Sequence, residues 1–322
     1  MGTFIVRRTL WLAVVLFAIS VLVFLIFFAT PGVDPARQMA GRNPSAATIA
    51  NIKHEFGLDR ALPVRYALMM KHMFVSRDLI SYGSHTKVIP EILSATPVTL
   101  SLVFGAALIW IVFSILTGVA AAVFRGTLLD PILMIFALIG ISVPVFWLGE
   151  VVNLLTQSRL HGFFLFSWVP PLGYTPFTQD PVKWFEGLVF PWLTLSVLYI
   201  GFYARVLRAN LIETESEDYV RTARAKGLSE RRVLLRHTLR TSMITFVSLF
   251  GLDFGVLVGG GALLTEVVFG LPGVGLLTYN SLTGLDLPVI MTTVIYGAFF
   301  ITLASALVDL LYAWLDPRVR PT

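Results

Sequence analysis

Six apolar runs, each about as long as a bilayer is thick, leave this chain few ways to fold. A hydrocarbon core of about 30 Å takes roughly 20 helical residues, and each backbone polar group within it must be satisfied inside its own segment. The runs are 10–29, 100–124, 131–155, 187–204, 243–264 and 289–308. They predict an all-α integral membrane protein with six transmembrane helices. Charged residues make up only 13% of the 322, against roughly 25% in soluble domains. The first run follows Arg7 and Arg8 as a signal peptide would, but it is longer than a signal's apolar region, so it reads as an uncleaved helix. A seventh stretch, 266–277, is too short to cross and is broken by Pro272-Gly273, which predicts a re-entrant or interfacial hairpin.

Charge sets the expected orientation. Arg7, Arg8, Arg125, Arg318, Arg320 and nine basic residues between Arg205 and Arg240 fall on one side when the N-terminus is cytoplasmic, while the other short loops hold only Arg159 and Lys183. Both termini are therefore expected on the cytoplasmic side of the membrane. The formal charge of +5 lies beside apolar runs, which points to a lipid surface as the partner and not to nucleic acid. The chain divides into an N-terminal segment with the first helix (1–30), an extracytoplasmic cap with short helical patterns (31–96), and a five-helix core (97–322) that carries a cytoplasmic loop, 205–240. Cap residues His54, His72 and His85 lack the spacing of a metal site. The absence of cysteine removes thiolate zinc, iron–sulfur and disulfide chemistry.

The loop 205–240 holds two helix signatures. Ser216 reads as an N-cap, Glu217 and Asp218 suit the positive end of a helix dipole, and Gly227 suits the left-handed position that closes a helix over 217–226. Ser229 and Glu230 repeat the start of a helix leading into the fifth span, with Arg232, Arg236 and Arg240 at four-residue spacing. A loop that merely joined two spans would need few residues, so this capped pair is expected to be read by another protein. Within the fifth span Gly251, Gly255 and Gly259 form a small-residue groove for close helix approach, or else a gate hinge. Pro144 is grouped with them as a packing or gating residue, and Asp253 is a midspan acid of the kind that defaults to function. No Gly-Lys pair exists, hence no P-loop, and ATP hydrolysis is not expected of this chain.

The stretch D-Y-V-R-T-A-R-A-K-G-L from Asp218, Tyr219, Arg221, Ala223, Ala225 and Lys226 to Gly227 and Leu228 resembles the cytoplasmic coupling loop of binding-protein-dependent ABC importers of the dipeptide/oligopeptide/nickel permease family. Supporting stretches are Thr30-Pro31-Gly32 with Asp34-Pro35, Phe56-Gly57-Leu58-Asp59, Ser142-Val143-Pro144-Val145-Phe146-Trp147, Thr265-Glu266-Val267-Val268-Phe269 with Pro272-Gly273-Val274-Gly275, and Leu315-Asp316-Pro317-Arg318. Where the general signature begins Glu-Ala-Ala, this chain has Arg221, Thr222 and Ala223. The resemblance implies a type I importer permease fold, a second homologous permease, two cytoplasmic ATPases carrying ATP and magnesium, an extracytoplasmic solute-binding protein, and a peptide cargo. The rival from another class is a proton-coupled secondary transporter using Asp253. It should show inverted repeats and paired broken helices, and the sequence shows no internal duplication.

Overall fold

A computed structural model describes residues 2–28, 36–37, 40, 45–55 and 57–315. The Thr30-Pro31-Gly32 stop, Asp34-Pro35, the boundary at 30/31, Phe56 and the basic C-terminal Arg318 and Arg320 lie outside the described residues. Within them the chain is helical: α1 (Gly2–Phe28), α2 (Ala46–Glu55), α3 (Leu62–Met70), α4 (Val88–Val123), α5 (Leu129–Ser142), α6 (Val145–Asn153), α7 (Pro181–Glu215), α8 (Asp218–Ala225), α9 (Glu230–Val233), α10 (Leu239–Val256), α11 (Leu263–Phe269), α12 (Val274–Gly284) and α13 (Leu287–Leu315). Single π-helical turns continue α3, α6, α9 and α10. Five helices are long and apolar enough to cross a membrane: 6–26, 88–123, 181–215, 230–261 and 287–309.

Two further apolar pairs are sharply bent. The third run, expected as one straight span, is divided into α5 and α6 at 90°. Its break falls at Val143, held at φ −84° and ψ 122°, followed by Pro144 as the N-cap of α6. A proline ring disfavours helical backbone in the residue before it and offers no N–H to the preceding turn, which favours a helix end there. The α11/α12 pair bends by 88°, with Gly270 left-handed at φ 62° and the Pro272-Gly273 pair in the break.

Length is a second difference. α4 starts at Val88, inside the stretch assigned to the cap, and runs 36 residues through Pro97, so the expected division at 96/97 falls within a continuous helix. α7 is 35 residues long, not the 18 of its apolar run. Asp180 starts it by accepting from the Val182 and Lys183 N–H groups, with Pro181 in the first position. These two helices form the centre of the core. Gly105 on α4 leaves room for the Trp192 ring of α7, whose indole N–H donates to the Ser101 carbonyl at 2.9 Å. Gly118 lies against the Ala204 carbonyl and Leu207. Trp110, Tyr203, Leu207, Leu211 and Phe246 fill the space between α4, α7 and α10.

The glycine groove of the fifth span is occupied by the chain's own last helix. A Cβ on Gly255 would meet Ala304 and the Phe300 carbonyl, Gly251 faces Val308, and Gly259 lies against the Gly297 backbone. The helix that approaches this groove is α13 of the same chain. Lipid supplies no hydrophobic drive between helices, so backbones must approach closely to gain dispersion contacts. Replacing Gly255 with Leu should therefore cost about 1–3 kcal/mol through overpacking. Val256→Leu, on the exposed face, should cost less than 0.5 kcal/mol, about the scale of ordinary surface changes. Thermal unfolding of the purified protein in detergent compares the two, and equal midpoints would remove the seam as a stabilising contact.

Met69, Met73 and Leu79 pack with Val23 and Phe24 of α1 and Val88 of α4 against Leu287, Ile290 and Met291 at the start of α13. A buried carboxylate fastens this contact: Asp286 accepts from Ser81 Oγ and from the Tyr82 and Gly83 N–H groups at 3.1 and 3.0 Å. At the other end of the bundle Arg8 pairs with Asp309, so that acid is an interhelical tie between α1 and α13.

Candidate functional site: the exposed helix pair and its support

Between α7 and α10 the chain leaves the bundle and builds α8 and α9. The helix α8 begins one residue later than the cap signals suggested. Glu217, with φ −69° and ψ 144°, is the N-cap and makes no side-chain cap bond, while the Ser216 hydroxyl donates backwards to the Glu213 carbonyl at 2.7 Å. Ser216 is therefore absorbed by the end of α7, a competition to which short hydroxyl side chains are prone. Ser229 is the N-cap of α9, again without a side-chain bond.

The end of α8 follows the expected chemistry closely. Gly227 has φ +77°. Its N–H bonds to the Arg224 carbonyl at 2.9 Å and the Leu228 N–H to the Ala223 carbonyl at 3.4 Å, the two bonds of a Schellman turn. The accompanying apolar contact is present too: Leu228 packs with Val220, Ala223 and Val233 in a small core of its own. Thus Ala223 and Leu228 face inward and hold the two helices together. Val220, which the sequence reading passed over, is fully buried beside them; its place three residues before Ala223 on a helix was the available signal. Asp218, Tyr219, Arg221, Ala225, Lys226 and Gly227 are exposed.

Side-chain bonds fix this unit in place. The Tyr219 hydroxyl donates to Thr241 Oγ1 at 3.1 Å, and Arg224 Nε donates to Glu230 at 3.1 Å across the turn. A π turn over Leu234–Thr238 then carries α9 directly into α10. The exposed pair is thus continuous with the helix bearing Gly251, Asp253, Gly255 and Gly259. Arg232, Arg236 and Arg240 are all exposed.

Inside the bundle Asp253 accepts a 2.6 Å bond from the Tyr203 hydroxyl of α7. Tyr203 lies in an aromatic group with Trp110, Tyr199 and Phe246. No carboxylate or imidazole is hydrogen-bonded to Asp253 among the described residues. Pro144 is exposed at the α5/α6 break and is separate from the glycine seam. Glu150 is exposed on α6.

The strongest polar constellation was not anticipated. Glu266 on α11 is completely buried. Thr99 of α4 donates to its Oε1 at 2.7 Å and the Leu276 N–H to its Oε2 at 2.9 Å, while the Val274 N–H donates to Thr99 Oγ1 at 2.9 Å. A carboxylate and a hydroxyl from other helices thereby cap α12, whose own N-cap, Gly273, has no side chain to do so. Added Cβ atoms on Gly273 or Gly275 would run into the Glu266 carboxylate. The T-E-V-V-F and P-G-V-G stretches are therefore two halves of one bent-pair lock.

In the stretch from α2 to α4, His54 pairs with Asp59 at 3.2 Å and His72 with Asp78 at 2.8 Å. The hydrogen bond from His72 holds the Asp78 carboxyl below its ordinary range, and His54 does the same for Asp59. Among the described residues no three metal-ligating side chains gather.

Long apolar helices, two sharply broken pairs and a helix pair projecting from the bundle define a polytopic membrane protein with an element built outside its spans. Residues 111–321 match the family described as "Binding-protein-dependent transport system inner membrane component", and residues 1–103 match the N-terminal membrane component of the same systems. A protein of Brucella abortus (strain 2308), provisionally named a peptide transport system permease protein, is 35% identical over 323 residues covering 99% of each chain. The glutathione transport system permease protein GsiC of Salmonella choleraesuis (strain SC-B67) is 36% identical over 320 residues, 99% of each. DdpB of Escherichia coli (strain K12), provisionally named for D,D-dipeptide transport, is 37% identical over 331 residues, 98% of this chain and 97% of DdpB. The chain belongs to the family of binding-protein-dependent transport system inner membrane components. It is a multi-pass inner-membrane permease of an ABC importer.

Proposed function

We propose that this permease forms half of a translocation path for di- or oligopeptides, pairs with a second homologous permease, and receives cargo from an extracytoplasmic solute-binding protein. Two cytoplasmic ATPases, holding ATP and magnesium, grip the exposed face of α8 around Asp218, Arg221, Ala225 and Lys226. The observation that carries this reading is the Schellman-closed helix pair, which has its own small core and runs without interruption into α10. Such a unit transmits a push as a rigid lever, whereas a plain linker would absorb it. Peptide cargo is supported by the names of relatives that align end to end. In this reading the five long helices cross the membrane with the α5/α6 pair as a sixth span, the α11/α12 pair is a re-entrant hairpin, and both termini are cytoplasmic, as the distribution of Lys and Arg over the short loops favours.

The deciding experiment is uptake of labelled di- to pentapeptides into proteoliposomes holding the complete transporter. Uptake should require internal ATP and the binding protein, ignore an imposed pH gradient, and survive Asp253→Asn with less than a threefold loss. Uptake that follows the pH gradient without ATP and collapses in Asp253→Asn would establish the proton-coupled alternative instead.

Topology has its own test, and the absence of native cysteine makes it direct. Single cysteines replacing Ser45 and Gln179 should react with an impermeant thiol reagent in intact cells, and one replacing Ser229 only after permeabilisation. Labelling at Ser229 in intact cells would overturn the six-span arrangement.

A further inference from the structure

A groove of about 570 Å³ lies between α5 and α7, lined by Met134, Ile141 and Phe202 and, further along α7, by Arg205, Val206, Arg208 and Ala209. Met134, Ile141 and Phe202 make its apolar part, and the two arginines stand at a definite depth. The apolar run of α7 stops at Ala204 and that of α5 starts at Pro131, so Arg205 and Asp130 flank the same boundary of the hydrocarbon.

The two arginines differ in their engagement. Arg208 is held by Asp130 in a two-pronged pair, Nε and a terminal nitrogen each at 2.6 Å from a carboxylate oxygen. The charge of Arg125 also bears on Asp130. Arg205 is exposed and has no carboxylate partner among the described residues. A single carboxylate thus faces an excess of guanidinium charge where a bilayer places its phosphates. Beyond the groove α5 continues as an exposed apolar face through Ile135, Phe136 and Ile139, as a lipid-facing surface does.

We infer that this groove is a binding site for one anionic phospholipid, its phosphate on Arg205 and an acyl chain along Met134, Phe202 and Ile141. The combination of a cation at headgroup depth and an apolar slot running inward from it matches the two ends of such a lipid, and basic pockets between helices on the cytoplasmic side are suited to it. Arg208, already neutralised by Asp130, positions the wall of the groove and contributes little net charge.

The test uses the assembled transporter in nanodiscs of phosphatidylcholine and phosphatidylglycerol in equal amounts, followed by re-extraction and quantification of retained lipid. Phosphatidylglycerol should be retained over phosphatidylcholine. Arg205→Ala should lower its retention about fivefold, the scale of one basic residue at a membrane surface, and Arg205→Lys should keep most of it. Ile141→Trp, which leaves the charge and fills the slot, should also lower it. Equal retention in Arg205→Ala and the parent, or full displacement of phosphatidylglycerol by inorganic phosphate, would overturn the site. Should Arg205→Ala fail to assemble, a fluorophore on Phe202→Cys decides: stronger quenching by brominated phosphatidylglycerol than by brominated phosphatidylcholine supports the site. Cross-linking of that cysteine to the second permease overturns it.

Discussion

Glu266→Ala should destabilise the permease by about 3–5 kcal/mol and leave little folded protein to purify. The carboxylate is fully buried and takes donors from Thr99 and the Leu276 N–H. Its removal leaves both without a partner, each costing roughly 1–3 kcal/mol, and opens a cavity in addition. Because these groups cap α12, the loss should be local at first, with protease sensitivity appearing around Gly270–Val274 before the rest of the bundle opens. Glu266→Gln keeps one acceptor and the volume, and should lose about 1–2 kcal/mol. Thr99→Val combined with Glu266→Gln should cost less than the sum of the two, since they share a network. A thermal midpoint of Glu266→Ala equal to that of the parent would show that the bent pair is held by apolar packing alone.

Gly227→Val should insert and fold normally yet lose at least tenfold in transport and in ATP hydrolysis stimulated by the loaded binding protein. A Cβ at this position meets no atom within 4 Å, so the whole effect is backbone strain. At φ +77° the left-handed conformation costs an L-residue roughly 1–2 kcal/mol, and a β-branched one is the least tolerant. The turn relieves that strain by giving up its Schellman bonds, which swings α8 relative to α9 and α10. A loss of about 1.4 kcal/mol in the docked geometry corresponds to a tenfold weaker ATPase association. Gly227→Asn, which enters the left-handed region more readily, should retain several times the activity of the valine variant. Full transport in Gly227→Val would remove the rigid lever from the mechanism; loss of transport with unchanged ATPase association would move its role from docking to transmission. The Gly255 comparison is complementary, since it perturbs the seam to α13 without touching the turn.

What the sequence determined by itself is what local physics determines. Bilayer thickness makes a span legible as a run of apolar residues, so five crossing helices and the break at Pro272-Gly273 could be read directly. A left-handed glycine followed by an apolar residue is likewise local, and Gly227 and Leu228 form the turn that their order implies. Helix ends were less legible. Ser216 looked like a cap but bonds backwards to Glu213, because the end of α7 competes for the same hydroxyl. The start of α4 at Val88 lies outside its apolar run, since a helix leaving the bilayer needs backbone continuity and not hydrophobicity. The sharp turn at Val143-Pro144 falls at a proline, yet α4 continues through Pro97 and α7 through Pro191, so a proline by itself does not fix a break. Only tertiary structure could bring Thr99 to Glu266 across 167 positions, or Asp286 to Ser81 across 205. It also decided that the Gly251, Gly255 and Gly259 groove receives α13 of the same chain, because small-residue spacing specifies a close approach without specifying the helix that makes it.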